Sequence, residues 1–122
     1  MAEITRKDLI LALIGIHEEH RPRLSGVDLS GLDLSYLNLS SADLGGVNLE
    51  GANLTGTNLN DTFLGGANLK GANLSGAYLR NAQVRNADLT NADLTGARLT
   101  GSVFQGCSIE GAKLPDGFRQ LA

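Results

Sequence analysis

From residue 22 onward the chain repeats every five residues without insertion, and that period limits what it can fold into. Stepping by five from Leu24 to Leu114 gives nineteen centres, all apolar and sixteen of them Leu. The position two residues before a centre is small, and is Ala in ten of the nineteen units. Two residues after a centre, Gly occupies twelve positions, and Asp61, Asn81, Asn86, Asn91 and Asp116 bring the turn-prone total to seventeen. The position just before the centre is Asn or Asp in eleven units.

Five is an odd number, and that has a structural consequence. Side chains alternate faces along an extended chain, so a centre and the residue two before it point the same way. Uninterrupted alternation would send the next centre to the opposite face. Each unit must therefore break alternation once, and the Gly, Asn and Asp positions suit the break because they tolerate positive φ. The pattern reads in, out, in, out, out, with a bend in every unit. A chain that bends this often and buries two residues each time must coil around its own Leu stack. An α-helix is excluded, because a period of five drifts around a 3.6-residue turn and places Gly throughout.

The motif, seen as Ala52-Asn53-Leu54-Thr55-Gly56 and Ala87-Asp88-Leu89-Thr90-Asn91, resembles that of the pentapeptide repeat family. The likeness covers residues 22–116. It implies an all-β solenoid, a right-handed quadrilateral β-helix with four units per coil. Periodicity alone does not yield the number four. Nearly five coils follow, in a column roughly 23 Å tall at a strand spacing of about 4.8 Å.

An open coil exposes unpaired backbone at both ends, so each end needs a cover. Thr5-Arg6-Lys7-Asp8 has the form of a capping box, and Leu9, Ile10, Leu13, Ile14 and Ile16 follow at helical spacing. The expected organisation is an α-helical cap in residues 1–21, the repeat over 22–116, and a C-terminal cap or tail over 117–122. Val27, Leu32 and Leu37 replace the usual Ala beside the expected lid. Phe118 and Leu121 are suited to folding over the last coil or to meeting a second copy. In parts of the family that end forms a dimer interface, so the resemblance implies a homodimer as a second arrangement.

Composition sets further bounds. Leu, Gly, Ala and Asn make up half of the 122 residues, and Trp is absent. With 42% hydrophobic residues and a net charge of −3, the chain is not of the disordered class. One Cys excludes an internal disulfide framework. The apolar run Leu9–Ile16 is too short to span a bilayer, and it ends in His17-Glu18-Glu19-His20 with no small-residue cleavage site. A cytoplasmic protein without a membrane partner is the expectation.

Catalysis needs a nucleophile or an acid–base pair held in a recess. His17 and His20 belong to the expected cap, whereas Cys107 takes an inward Ala-type position near the other end. No cofactor or metal is expected, and the chain is read as a non-enzyme. Function is left to the outer surface. The first half of the repeat is acidic and the second mildly basic, with Lys70, Arg80, Arg85, Arg98 and Lys113. On a four-sided coil, residues twenty apart stack, which sets Glu50 beneath Lys70, Asp93 beneath Lys113 and Tyr78 beneath Arg98. Phe63 and Val103 are apolar at outward positions. Together with Tyr36, the candidate interaction residues are Phe63, Tyr78, Arg80, Arg98, Val103, Phe118 and Leu121.

These features point to a rigid column that docks an unidentified protein partner through its walls or ends. The alternative is a mimic of DNA that binds a type II topoisomerase, as some pentapeptide proteins do in quinolone resistance. Weak net charge and the absence of projecting loops disfavour it. Direct nucleic-acid binding finds no basic stripe with interleaved aromatics along the sequence.

Overall fold

The computed structural model describes residues 5, 6, 8, 9 and 21–118. Fifteen parallel bridges run from Arg23↔Asp43 to Asp93↔Lys113, and every one joins residues twenty apart. Twenty residues per coil means four units per coil, the number that the period alone left open. The bridges form four columns, taken here as walls. The first wall carries Arg23, Asp43, Phe63, Gln83 and Val103, and the second Asp28, Asn48, Asn68, Asp88 and Ser108. On the third lie Asp33, Asn53, Asn73, Asp93 and Lys113, and on the fourth Asn38, Asn58, Tyr78 and Arg98. Only the residue before each centre is bridged, so among the described residues pairing occurs through isolated bridges and not through longer strands.

The corner between walls is a type II turn. In the Leu69 unit, the Ala72 N–H donates to the Leu69 carbonyl at 3.0 Å, and Gly71 adopts φ 64°. The same geometry holds where Gly is missing, at Asp61, Asn81, Asn86 and Asn91. Tyr36 and Ser41, which lie outside the Gly, Asn and Asp set, are held in it too, each at φ 62°. A Tyr in the left-handed region is strained by roughly 1–2 kcal/mol relative to Gly. Neighbouring coils pair above and below. The Leu69 N–H donates upward to the Asp88 carbonyl at 2.8 Å, and the Asn68 N–H downward to the Val47 carbonyl at 2.9 Å.

Inside, the Leu centres from Leu29 to Leu79 are at most 2% exposed, and the Ala positions from Ala42 to Ala92 are buried beside them. Two buried hydroxyls are also satisfied. Thr57 Oγ1 donates to the Leu34 carbonyl and Thr62 Oγ1 to the Leu59 carbonyl, both at 2.8 Å. Val27, Leu32 and Leu37 pack on the core while partly exposed.

The capping box at the N-terminal end is present. The Asp8 N–H donates to Thr5 Oγ1 at 3.1 Å, and the Thr5 N–H to Asp8 Oδ2 at 3.4 Å. The Leu9 N–H closes one helical turn on the Thr5 carbonyl, and the Leu9 side chain is buried. The rest of the expected cap helix, with His17 and His20, lies outside the described residues. Arg6 reaches the coil itself: its guanidinium donates to the Asp33 and Ser35 carbonyls and pairs with Asp33 Oδ1 at 3.5 Å. Those carbonyls sit on the first coil, and among the described residues no earlier coil offers them N–H groups, so the planar fork stands in the place of two amides.

At the other end the corner slips by one residue. The Phe118 N–H donates to the Pro115 carbonyl at 3.1 Å, and Gly117 takes the positive φ of 80°. The expected corner at Asp116 is thus corrected. Gly meets no Cβ penalty in that conformation, whereas Asp does. Phe118 folds back on the last coil and meets Phe104 edge to face, with ring centres 5.4 Å apart. Leu121 lies outside the described residues.

Candidate interaction surface

The Asn and Asp positions of the walls hold the turns together. In all eleven such units, Oδ1 accepts the main-chain N–H two residues on. This is an Asx-turn bond, and it explains why the position favours one side-chain length. In five of these units the hydroxyl of the residue after the centre (Ser30, Ser35, Thr55, Thr90 or Thr95) adds a second bond, as Thr90 does to Asp88 at 2.6 Å. These hydroxyls, and after them the N–H groups, hold the carboxyls of Asp28, Asp33, Asp88 and Asp93 below the ordinary carboxylate range.

Units that depart from Asn or Asp mark surface free for other uses. Tyr78 cannot accept the Arg80 N–H, and Asn60 of the preceding coil does so through Oδ1 at 2.9 Å. Above Tyr78, the Arg98 guanidinium lies 5.1 Å from the ring centre, a cation–π contact. The other two expected stacks form, but without ion pairs. Glu50 Oε1 accepts from Asn68 Nδ2 at 3.1 Å instead of pairing with Lys70, and Asp93 and Lys113 form no ion pair. Among the described residues Arg6–Asp33 is the one ion pair. Asp93 is already engaged by Thr95, and a long exposed Lys loses side-chain entropy on pairing for little gain.

Phe63 is half exposed, and its ring rests on the backbone of Gly45 and Gly65, where an added Cβ would come within 2.8 Å of it. Tyr36, the most exposed aromatic, leans over Gly56, a corner with no room for Ala beneath the ring. Val103 stands two coils above Phe63 on the first wall, with Gln83 between them. A shallow recess beside Phe63 is lined by Arg21, Arg23, Asp43 and Phe63. Cys107 is buried in its Ala-type place with Sγ 2.8 Å from the Val84 carbonyl, and burial pushes its thiol pKa up. Among the described residues no three of His, Cys, Asp and Glu gather as metal ligands, and no helix is long and apolar enough to cross a membrane.

The register rearranges the charges. In units 22–116, the second and third walls carry Asp28, Asp33, Glu50, Asp88, Asp93 and Glu110 before Asp116, with only Lys70 and Lys113 as bases. The fourth and first walls carry Asp43 and Asp61 against Arg23, Arg80, Arg85 and Arg98. Phe63, Tyr78 and Val103 lie on those same two adjacent walls. The column therefore has an acidic side and an Arg-rich, aromatic side. Sequence reasoning missed this division because it counted charges by height along the column. It missed Arg6 and Asn60 as well, although an Asn twenty residues before Arg80 was a readable sign once the register was known.

Comparison with known proteins agrees with this geometry. A family model for a pentapeptide repeat region matches residues 38–114, and one for pentapeptide repeats matches residues 22–51. A pentapeptide repeat protein from the Arabidopsis thaliana thylakoid lumen is similar at 36% identity and a TM-score of 0.72, over 82% of this chain and 73% of that one. Rfr23 of the cyanobacterium Cyanothece 51142 is 40% identical over 72% of this chain and 64% of that one, with a TM-score of 0.41. HetL of Nostoc sp. strain PCC 7120, involved in heterocyst differentiation regulation, is 28% identical over 79% of this chain and 59% of that one, with a TM-score of 0.35. No curated protein sequence matches significantly.

Proposed function

Because the chain belongs to the pentapeptide repeat family, whose members fold as right-handed quadrilateral β-helices, we propose that it is a non-enzymatic module that docks a protein partner through its outer walls. One observation carries this reading: the exposed aromatics Phe63 and Tyr78 share two adjacent walls with Arg80, Arg85 and Arg98. The rest of the wall chemistry is spent on turns, through the Asx bonds. Rigidity favours such a role, since a preformed surface loses little entropy on binding. The described surface offers no nucleophile paired with a base, which supports a non-catalytic role. We place the protein in the cytoplasm, with an N-terminal helical cap that starts at the Thr5–Asp8 box.

Site-directed photo-crosslinking in cells of the source organism tests the reading. A photoreactive residue at position 63 or 103 should give a discrete protein adduct, and one at position 68 or 73 should not. No adduct from any wall would overturn it. A topoisomerase adduct together with inhibition of supercoiling would instead favour the DNA-mimic alternative, in which the acidic second and third walls would carry the contacts.

A further inference from the structure

Resting on that reading, we propose that the fourth and first walls together bind an extended, acidic polypeptide segment. Arg80, Arg85 and Arg98 take its carboxylates, and Phe63, one coil below Gln83, supports an apolar side chain beside them. The three arginines are exposed, and none has a carboxylate partner among the described residues. Arg85 bonds Gln105 Oε1 at 2.7 Å, and Arg98 stacks on Tyr78, so both guanidinium groups are held in place by neutral contacts. A planar guanidinium held in this way is preorganised for a bidentate carboxylate, which lowers the entropy lost on pairing.

The register places these cations on neighbouring coils and corners of one side. Arg80 belongs to the coil of Tyr78, and Arg98 to the coil above, about 4.8 Å higher. Arg85 stands at the far end of the next wall, beside the Asn86 corner, as Arg80 stands beside the Asn81 corner one unit earlier. Toward the N-terminal end, the recess lined by Arg21, Arg23, Asp43 and Phe63 continues the same surface and adds two more cations. Charge complementarity selects the occupant. This side carries four arginines and two acids within the repeat, while the opposite side is acidic. A nucleic acid would meet Asp43 and Asp61 inside its footprint, whereas a polypeptide can place a cation or a neutral side chain there.

A short peptide of alternating Glu and Tyr, titrated into the isotopically labelled full chain and followed by amide NMR, tests the proposal. The expected result is saturable shifts at residues 63, 78, 80, 85 and 98, with none at 68, 73, 88 and 93. Arg80→Glu and Arg98→Glu should each weaken binding about tenfold, as loss of a charged hydrogen bond does, while Lys70→Glu leaves it unchanged. No shift at millimolar peptide, or shifts confined to the second and third walls, would overturn the proposal. Tighter binding of duplex DNA or single-stranded RNA at these residues would overturn it in favour of a nucleic acid. Concentration-dependent self-association that Arg98→Glu abolishes would do so in favour of a second copy. A crosslinked partner with no acidic segment would sink this proposal and leave the docking reading intact.

Discussion

Asn60 Oδ1 accepts the main-chain N–H of Arg80 at 2.9 Å, across one coil. In eleven other units that N–H is satisfied from within by an Asn or Asp. Placing Tyr78 on the wall removed the local acceptor, and the coil beneath restored it. Asn60→Ala is therefore expected to destabilise the protein by about 0.5–1.5 kcal/mol. In a Tyr78→Asn background the same change should cost almost nothing, because the new Asn side chain takes over the bond. Thermal melts of the four proteins in this cycle measure the coupling, and equal losses in both backgrounds would contradict it.

Corner glycines divide into two kinds. Gly71, at φ 64°, has open space where a Cβ would stand, whereas Gly101, at φ 76°, lies against the Asn81 side chain. Gly71→Ala should cost about 1–2 kcal/mol from backbone strain alone. Gly101→Ala should cost more, and Asn81→Gly should bring that loss down to the Gly71→Ala value. Urea denaturation of the variants gives the comparison.

A charge at a centre should be far worse than any corner change. Leu69 is 1% exposed within the stack, and a Lys there would have no partner and no path to water. Leu69→Lys should abolish the cooperative melt seen by circular dichroism. An unchanged melt would show that residue 69 does not face inward.

Acid should loosen the walls. Asp28, Asp33, Asp88 and Asp93 have carboxyl pKa values below the ordinary 3.8, chiefly through Ser and Thr hydroxyl bonds. A depressed folded-state pKa means that the unfolded chain binds protons first. The stability these groups contribute is complete above about pH 5, and it is lost as pH falls through 3.8 toward the folded values. Thr90→Val should move the Asp88 carboxyl titration upward, and carboxyl NMR reads that shift directly. No movement would assign the effect to another cause.

Much of the fold is legible in the sequence. The inward places of Leu and Ala, the bend in every unit and the Thr5–Asp8 box all follow from spacing and side-chain chemistry. The four-sided register was not legible from the period, because any coil that breaks alternation once per five residues obeys the same pattern. The period by itself also leaves the Arg-rich side, the Asn60 bond and the partner of Glu50 unread, because each depends on which residues meet across coils. Tyr78 and Arg98 came out correctly because the family resemblance had supplied the step of twenty. The slip at Pro115 escaped notice because Asp116 and Gly117 are both turn formers, and the choice between them depends on a Cβ penalty.

The register of twenty underlies the walls, the charge division and the proposed docking face, and scalar couplings across hydrogen bonds test it directly. Coupling should appear from the Leu69 amide nitrogen to the Asp88 carbonyl carbon, and from the Asn68 amide nitrogen to the Val47 carbonyl carbon. Partners displaced by one unit of five in either direction would mean a three- or five-sided coil, and would contradict the account.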